Sequence, residues 1–272
     1  MNFLVSASTD VGIKKDKNED SYNIKLINTA HGSVVFAVVC DGMGGLSMGE
    51  VASSSLVMAF NEWVEKALPQ LTQSGVADDG FCDEWVKLAT EYNEKLKIYG
   101  AGQGVRLGTT LTAMLITGEQ YYIVNVGDTR AYEIGGDITR LTKDHTVVAR
   151  EMELGILTEE QARTDKRRSV LTQCVGASQN VYPDVFTGVC KPNTVYVICS
   201  DGFRNKITED EIFEYLNPGV ATSEEILKHN SEQLIELNKQ RGETDNITVL
   251  SIRTVEDGPE LWEDEEPTEQ LP

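Results

Sequence analysis

Ser33-Val34-Val35-Phe36-Ala37-Val38-Val39-Cys40 runs without a charge into Asp41-Gly42-Met43-Gly44-Gly45. The first eight residues are mostly apolar and rich in β-branched side chains, which predicts a strand buried on both faces and ending at Asp41. Beyond the glycines, Ser47 and Glu50 have the spacing of a capping box, and Val51, Ser55, Ala59, Trp63 and Ala67 carry a helical repeat towards Pro69. Phe81, Trp85, Leu88, Tyr92 and Leu96 recur at three and four residues, so a second helix is expected to pair with the first.

From Gly108 to Leu141 the period changes. Residues 109–116, 121–126 and 129–134 are strand-like and are separated by turns, which predicts an antiparallel meander. Thr158 with Gln161 and Thr208 with Glu211 have capping-box spacing, and Ser223 should cap a helix reaching Gly242. Further strands are expected over residues 194–199 and 247–253. Strands and helices fall in blocks instead of alternating, which favours a layered α+β fold over a doubly wound parallel sheet.

At 272 residues and 40% hydrophobic content the chain can bury one large core. The expected domain spans residues 1–254. Residues 255–272 hold eight carboxylates and no lysine or arginine, and are expected to be a disordered acidic tail. The net charge of −20 repels nucleic acid and anionic membranes, so neither is an expected partner. It also disfavours phosphorylated substrates, unless bound cations reverse the field locally. With no long apolar run and no secretion-type start, a cytoplasmic monomer is expected. The five cysteines form no Cys-x-x-Cys pair, and the Asn246-Ile247-Thr248 glycosylation triplet has no meaning without secretion.

Four acidic clusters stand at predicted strand ends or turns: Asn18-Glu19-Asp20, Asp41-Gly42, Ser200-Asp201-Gly202 and Asp245-Asn246. A hard divalent cation needs carboxylate oxygens at about 2.1 Å, and two cations about 4 Å apart need one carboxylate between them. Strand ends can converge in that way, and glycine after aspartate lets a backbone carbonyl approach. Any one Asp-Gly step is by itself only a turn.

The set resembles the metal-dependent, type-2C family of protein serine/threonine phosphatases, in particular its compact bacterial members. The matching segments are Lys15-x-x-Asn18-Glu19-Asp20, Asp41-Gly42-Met43-Gly44-Gly45, Gly108-Thr109-Thr110, Asn125 to Tyr132, Leu141 to His145, Cys199 to Gly202, and Asp245 to Thr248. The resemblance implies a four-layer α-β-β-α sandwich of two antiparallel sheets flanked by helix pairs, with the site at one end. It implies two divalent cations, Mn²⁺ or Mg²⁺. Asp41 would bridge them, the Gly42 carbonyl would serve one, Asp201 and Asp245 would serve the other, and Glu19 and Asp20 would act partly through water. Asp128 would complete a weaker third site with Asp201, or else simply close a turn. A metal-bridged hydroxide would attack phosphorus directly in phosphoserine and phosphothreonine proteins made by a serine/threonine kinase. Lys15 stands where the family has a phosphate-gripping arginine, with Lys14 and Lys17 as alternatives. Met43 cannot donate a proton, so no general acid is visible.

The alternatives are weaker. A cysteine phosphatase loop needs five residues between thiolate and arginine, and Cys199 to Arg204 has four. Gly100 to Gly104 would need a preceding strand to bind a nucleotide, so it reads as a flexible loop. His31, His145 and His229 share no ligand spacing. A pseudophosphatase binding module would have no need of Asp41, Asp201 and Asp245 together, and a nuclease would want a basic stripe. Residues 143–192 are expected to border the cleft and to influence substrate choice.

Overall fold

The computed structural model describes residues 1–29, 31–43, 48–73 and 80–256. Ser47 and the acidic tail beyond Glu256 lie outside the described residues. In chain order the elements are β1 (Asn2–Asp10), β2 (Asp20–Thr29), β3 (Gly32–Asp41), α1 (Gly49–Gln73), α2 (Gly80–Gln103), β4 (Leu111–Ile116), β5 (Gln120–Val126), β6 (Arg130–Ile134), β7 (Ile138–Arg140), α3 (Val147–Glu153), α4 (Glu159–Thr164), β8 (Asp184–Val189), β9 (Val195–Cys199), α5 (Asp201–Arg204), α6 (Glu209–Leu216), α7 (Glu224–Gln240) and β10 (Ile247–Val255).

Two five-stranded antiparallel sheets stack face to face, ordered β1-β10-β9-β6-β7 and β2-β3-β4-β5-β8. The alternation of side chains along β3 explains the layers. Val34, Phe36, Val38 and Cys40 point into a core shared with α1 and α2, while Val35, Ala37 and Val39 fill the space between the sheets. Strand β9 divides in the same way: Val195, Val197 and Cys199 face α6 and α7, and Tyr196 and Ile198 face the other sheet. The four-layer α-β-β-α arrangement expected from sequence is therefore present, and the expected pairing of α1 with α2 is built on aromatic rings. Trp85 lies 5.6 Å from Phe36 and Phe60, and 5.2 Å from Trp63 and Phe81, centroid to centroid. Edge-to-face pairs of this kind add about 0.5–1.5 kcal/mol each beyond simple burial.

Three expectations need correction. Helix α1 does not stop at Pro69 but continues to Gln73. The segment from Gly100 is not a loop: α2 runs through Gln103, and Gly104, with φ +68°, ends it. The Val105 N–H then reaches back to the Gly100 carbonyl at 2.9 Å, a Schellman closure that a left-handed glycine permits. Nor is there a single meander. Strands β4 and β5 pair in one sheet, whereas β6 and β7 pair in the other. The chain changes sheets at Gly127, whose φ of +106° turns the backbone between layers.

Candidate active site

Asp41 closes β3, and Asp20 opens β2 directly opposite it in register. Like charges facing each other across a ladder oppose folding, so this pairing calls for a function. Asp41 is fixed from the main chain: its carbonyl accepts from the Thr110 N–H and the Thr109 hydroxyl, both at 2.9 Å, and its own N–H donates to Thr110 Oγ1 at 2.9 Å. Gly42 is hemmed in by the Gly49 and Glu19 carbonyls, where a side chain would collide. The Glu19 carboxylate lies against Gly49 at the start of α1, whose N-terminal dipole favours an anion.

Asp201 leaves β9 as the first residue of α5, Asp128 sits in the sheet-switching turn, and Asp245 precedes β10. Asp41, Asp128, Asp201 and Asp245 line one cleft of about 800 Å³. Burial, aided by the neighbouring Asp20, Asp201, Asp128 and Asp245 charges, pushes Asp41 well above the carboxylate range. Burial raises Asp20 to about 7, with Asp201 and Asp245 adding to it and the nearby Thr248 and Ser200 hydroxyls opposing it. Burial likewise lifts Asp128 to about 7, against the pull of Arg204. Asp201 is raised by burial and by Asp245, again against Arg204. Both carboxylate oxygens of Asp20 and one of Asp201 are buried without a hydrogen bond of good geometry.

These are the properties of carboxylates that divalent cations would neutralise. As the side chains lie here, no three acidic, histidine or cysteine groups among the described residues enclose an ion. The fit is one of donor chemistry: hard carboxylate oxygens, buried, orphaned and mutually repelling, on separate strand ends. One ammonium group lies against two of the acidic residues. Lys15 Nζ lies 2.9 Å from Asp245 Oδ1 and 3.5 Å from Glu19 Oε2. Burial opposes its charge, yet those two carboxylates hold its pKa above the ordinary lysine value. Lys17 turns away to Glu50 at 3.0 Å, so of these two it is Lys15 that faces the acidic residues.

Several supporting residues escaped the sequence. Arg204 donates to the Asp128 carbonyl at 2.8 Å and to its carboxylate at 3.2 Å. Arg130 grips Asp144 with two bonds of 2.9 and 2.7 Å. Asn246, named in the Asp245-Asn246 cluster but given no role of its own, donates to the Val11 and Lys17 carbonyls at 2.9 and 3.0 Å and accepts from the Glu19 N–H at 2.9 Å. It thereby ties the loop carrying Lys15 and Glu19 to the start of β10. Its position beside Asp245 was the available signal.

His145 is engaged at both ring nitrogens. Its Nδ1 accepts from the Gly127 N–H at 3.1 Å, which leaves Nε2 to carry the proton and donate to Asp184, also at 3.1 Å. Cys199 is buried and its thiol is pushed up to about 12, so it is no nucleophile. Met43 lines the cleft. No helix of the described residues is long and apolar enough to cross a membrane.

Comparison with known proteins finds a family, relatives and solved structures similar to this chain. A family model described as protein phosphatase 2C matches residues 13–237. A putative protein phosphatase 2C-type of Streptococcus pyogenes is 32% identical over 253 residues, covering 91% of this chain and 96% of that protein. Protein phosphatase PhpP of Streptococcus pneumoniae is 29% identical, covering 94% and 99%. Among solved structures, the S. agalactiae serine/threonine phosphatase superposes with a TM-score of 0.78 at 28% identity, covering 93% of this chain and all of that one.

Proposed function

Because the chain belongs to the protein phosphatase 2C family and is a metal-dependent serine/threonine phosphatase, we propose that it works with two divalent cations, Mn²⁺ or Mg²⁺, held by Asp41, Asp201 and Asp245. The Gly42 carbonyl, Glu19 and Asp20 complete the set, and Asp128 with Asp201 offers a weaker third position. The observation that carries this assignment is the orphaned, buried carboxylate oxygens of Asp20 and Asp201, surrounded by like charge. When bound, the cations supply Lewis acidity that activates water and neutralises phosphoryl charge.

The chain's own residues do the positioning. Thr109 and Thr110 hold the Asp41 backbone so that its carboxylate needs no rearrangement during turnover. Lys15 supplies positive charge beside Asp245 and exchanges Asp245 and Glu19 for a phosphoryl oxygen when substrate enters. Met43 has no proton to give and His145 is engaged with Asp184, so the departing serine or threonine oxygen takes its proton from solvent. The substrates are proteins phosphorylated by a serine/threonine kinase in the cytoplasm, and the enzyme acts as a monomer. The names of the relatives support catalysis over a binding-only module.

Phosphate release from a phosphothreonine peptide, measured with Mn²⁺, with Mg²⁺ and in excess chelator, tests the proposal. Release should require either cation and stop on chelation. Full turnover in chelator would overturn it.

A further inference from the structure

The cleft is lined by unlike charges. Asp41, Asp128, Asp201 and Asp245 line it, and Arg106 is the sole lysine or arginine among its described lining residues. In a chain of net charge −20, an unneutralised cation inside the substrate cleft is conspicuous. Arg106 is exposed, and among the described residues it forms no ion pair. Its one hydrogen bond runs from Nη2 to the Ala177 carbonyl at 3.2 Å. Since a guanidinium has five N–H donors, most of them are left without a protein partner among the described residues.

That single bond matters because the segment it touches is itself held firm. Asn93 on α2 accepts from the Gly176 N–H at 2.9 Å and donates to the Ser178 carbonyl at 3.3 Å, while Lys97 donates to the Gln179 carbonyl at 2.9 Å. The Schellman closure at Gly104 ends α2 two residues before Arg106. Arg106 thus follows a closed helix end and rests one of its donors on a loop that α2 holds in place. On the same cleft stands Tyr182, 71% exposed, its backbone clamped by Gln173 through bonds of 2.7 and 3.0 Å. An aromatic face and a cation together suit an extended peptide bearing an anion.

The reach is fixed by the backbone. Arg106 lies four residues before Thr110, whose N–H and hydroxyl bind the Asp41 main chain. Four residues span at most about 14 Å. An extended peptide covers that distance in about four residues or fewer.

We infer that Arg106 and Tyr182 form a subsite for a second anionic group on the phosphopeptide, within about four residues of the phosphorylated one. The inference rests on the phosphatase activity of the cleft. A carboxylate and a second phosphoryl group share the required chemistry, and the guanidinium can receive either with two parallel bonds.

The test compares phosphothreonine peptides that are neutral around the phosphorylated residue, that carry glutamate two, three or four residues away, or that carry a second phosphothreonine there. Both kcat/KM in Mn²⁺ and affinity by fluorescence anisotropy are measured, each as a ratio to the neutral peptide. Wild type should favour at least one anionic register about tenfold, and whether glutamate or phosphate is favoured identifies the natural source. Arg106→Ala should bring the ratio to about one. Arg106→Lys should leave an intermediate ratio, and Arg106→Glu should invert it. A wild-type ratio of one, or a ratio unchanged in Arg106→Ala, overturns the subsite. Should turnover be absent altogether, the catalytic assignment fails, while the anisotropy ratio still decides the subsite.

Discussion

At the scale of single residues, the ends of side chains decide more than residue identity does. Lys15 was assigned to phosphate from its place before Asn18-Glu19-Asp20, and its ammonium is instead engaged with Asp245 and Glu19. Both roles can follow one another, because two cations at the site would neutralise the carboxylates that now hold it. Lys15→Ala should lower kcat/KM for phosphopeptides roughly tenfold or less, the group being partly exposed and screened. Lys15→Arg should match or exceed wild type, since guanidinium offers two-pronged bonding to phosphate. Unchanged kcat/KM in Lys15→Ala, measured against Lys14→Ala and Lys17→Ala, would move the role elsewhere. Asp144 poses a different question. Burial alone would raise it, but Arg204 and Arg130 hold it down at about 2. A depressed carboxylate contributes stability that is complete above its unfolded value near 4 and lost as pH falls through about 2. That contribution is roughly 2 kcal/mol, or some 4–8 °C of Tm in a chain of this size. Asp144→Asn should lower Tm by that order at pH 7, and urea unfolding should show wild type losing its advantage over the variant between pH 4 and pH 2. Parallel profiles would mean that the arginine pair gives Asp144 no net stability.

Elements were legible in sequence wherever their causes are local. Thr158 with Gln161 and Thr208 with Glu211 form the reciprocal caps their spacing announced, and Ser223 caps α7. Asp41 and Asp201 were readable for a similar reason, since each lies at the end of a distinctive buried strand beside glycine. Non-local causes were not readable. Nothing in residues 109–134 says that β5 and β6 belong to different sheets; that follows from which strand each finds far away, β8 and β9 respectively. Arg204 and Arg130 likewise looked like ordinary polar residues, because their partners Asp128 and Asp144 lie 76 and 14 positions away. Asn246 is the most informative omission, since one amide unites the loop of residues 11–19 with β10 across more than 200 positions. Asn246→Ala should cost roughly 1–3 kcal/mol by orphaning these backbone groups. Hydrogen exchange should quicken selectively at Glu19 and its loop, with Asn246→Asp intermediate because it keeps the acceptor for the Glu19 N–H. Unchanged exchange in that loop would show that other contacts hold it.

For the molecule as a whole, the two sheets bring acidic strand ends to one edge of the sandwich, and the cost of doing so is electrostatic. Burial and mutual repulsion raise Asp20, Asp41, Asp128 and Asp201 together, so the cation-free fold carries charges that it would be more stable without. Binding of divalent cations to the folded state alone must therefore appear as stability. At a concentration one hundred times the dissociation constant the gain is about 2.7 kcal/mol, which for a chain of this size is some 5–11 °C in Tm. Asp201→Ala separates this account from simple damage to the fold. In excess chelator the variant should melt at or above the wild-type temperature, because one repelling charge with an orphaned oxygen has gone. On adding Mn²⁺, wild type should rise by the stated amount and the variant by far less, and phosphatase activity should be nearly abolished in the variant. The two measurements have opposite expected signs, so general destabilisation cannot imitate the result. A variant that melts well below wild type in chelator, or one that gains as much from Mn²⁺, would show that Asp201 is a structural residue and that the cations are held by other carboxylates.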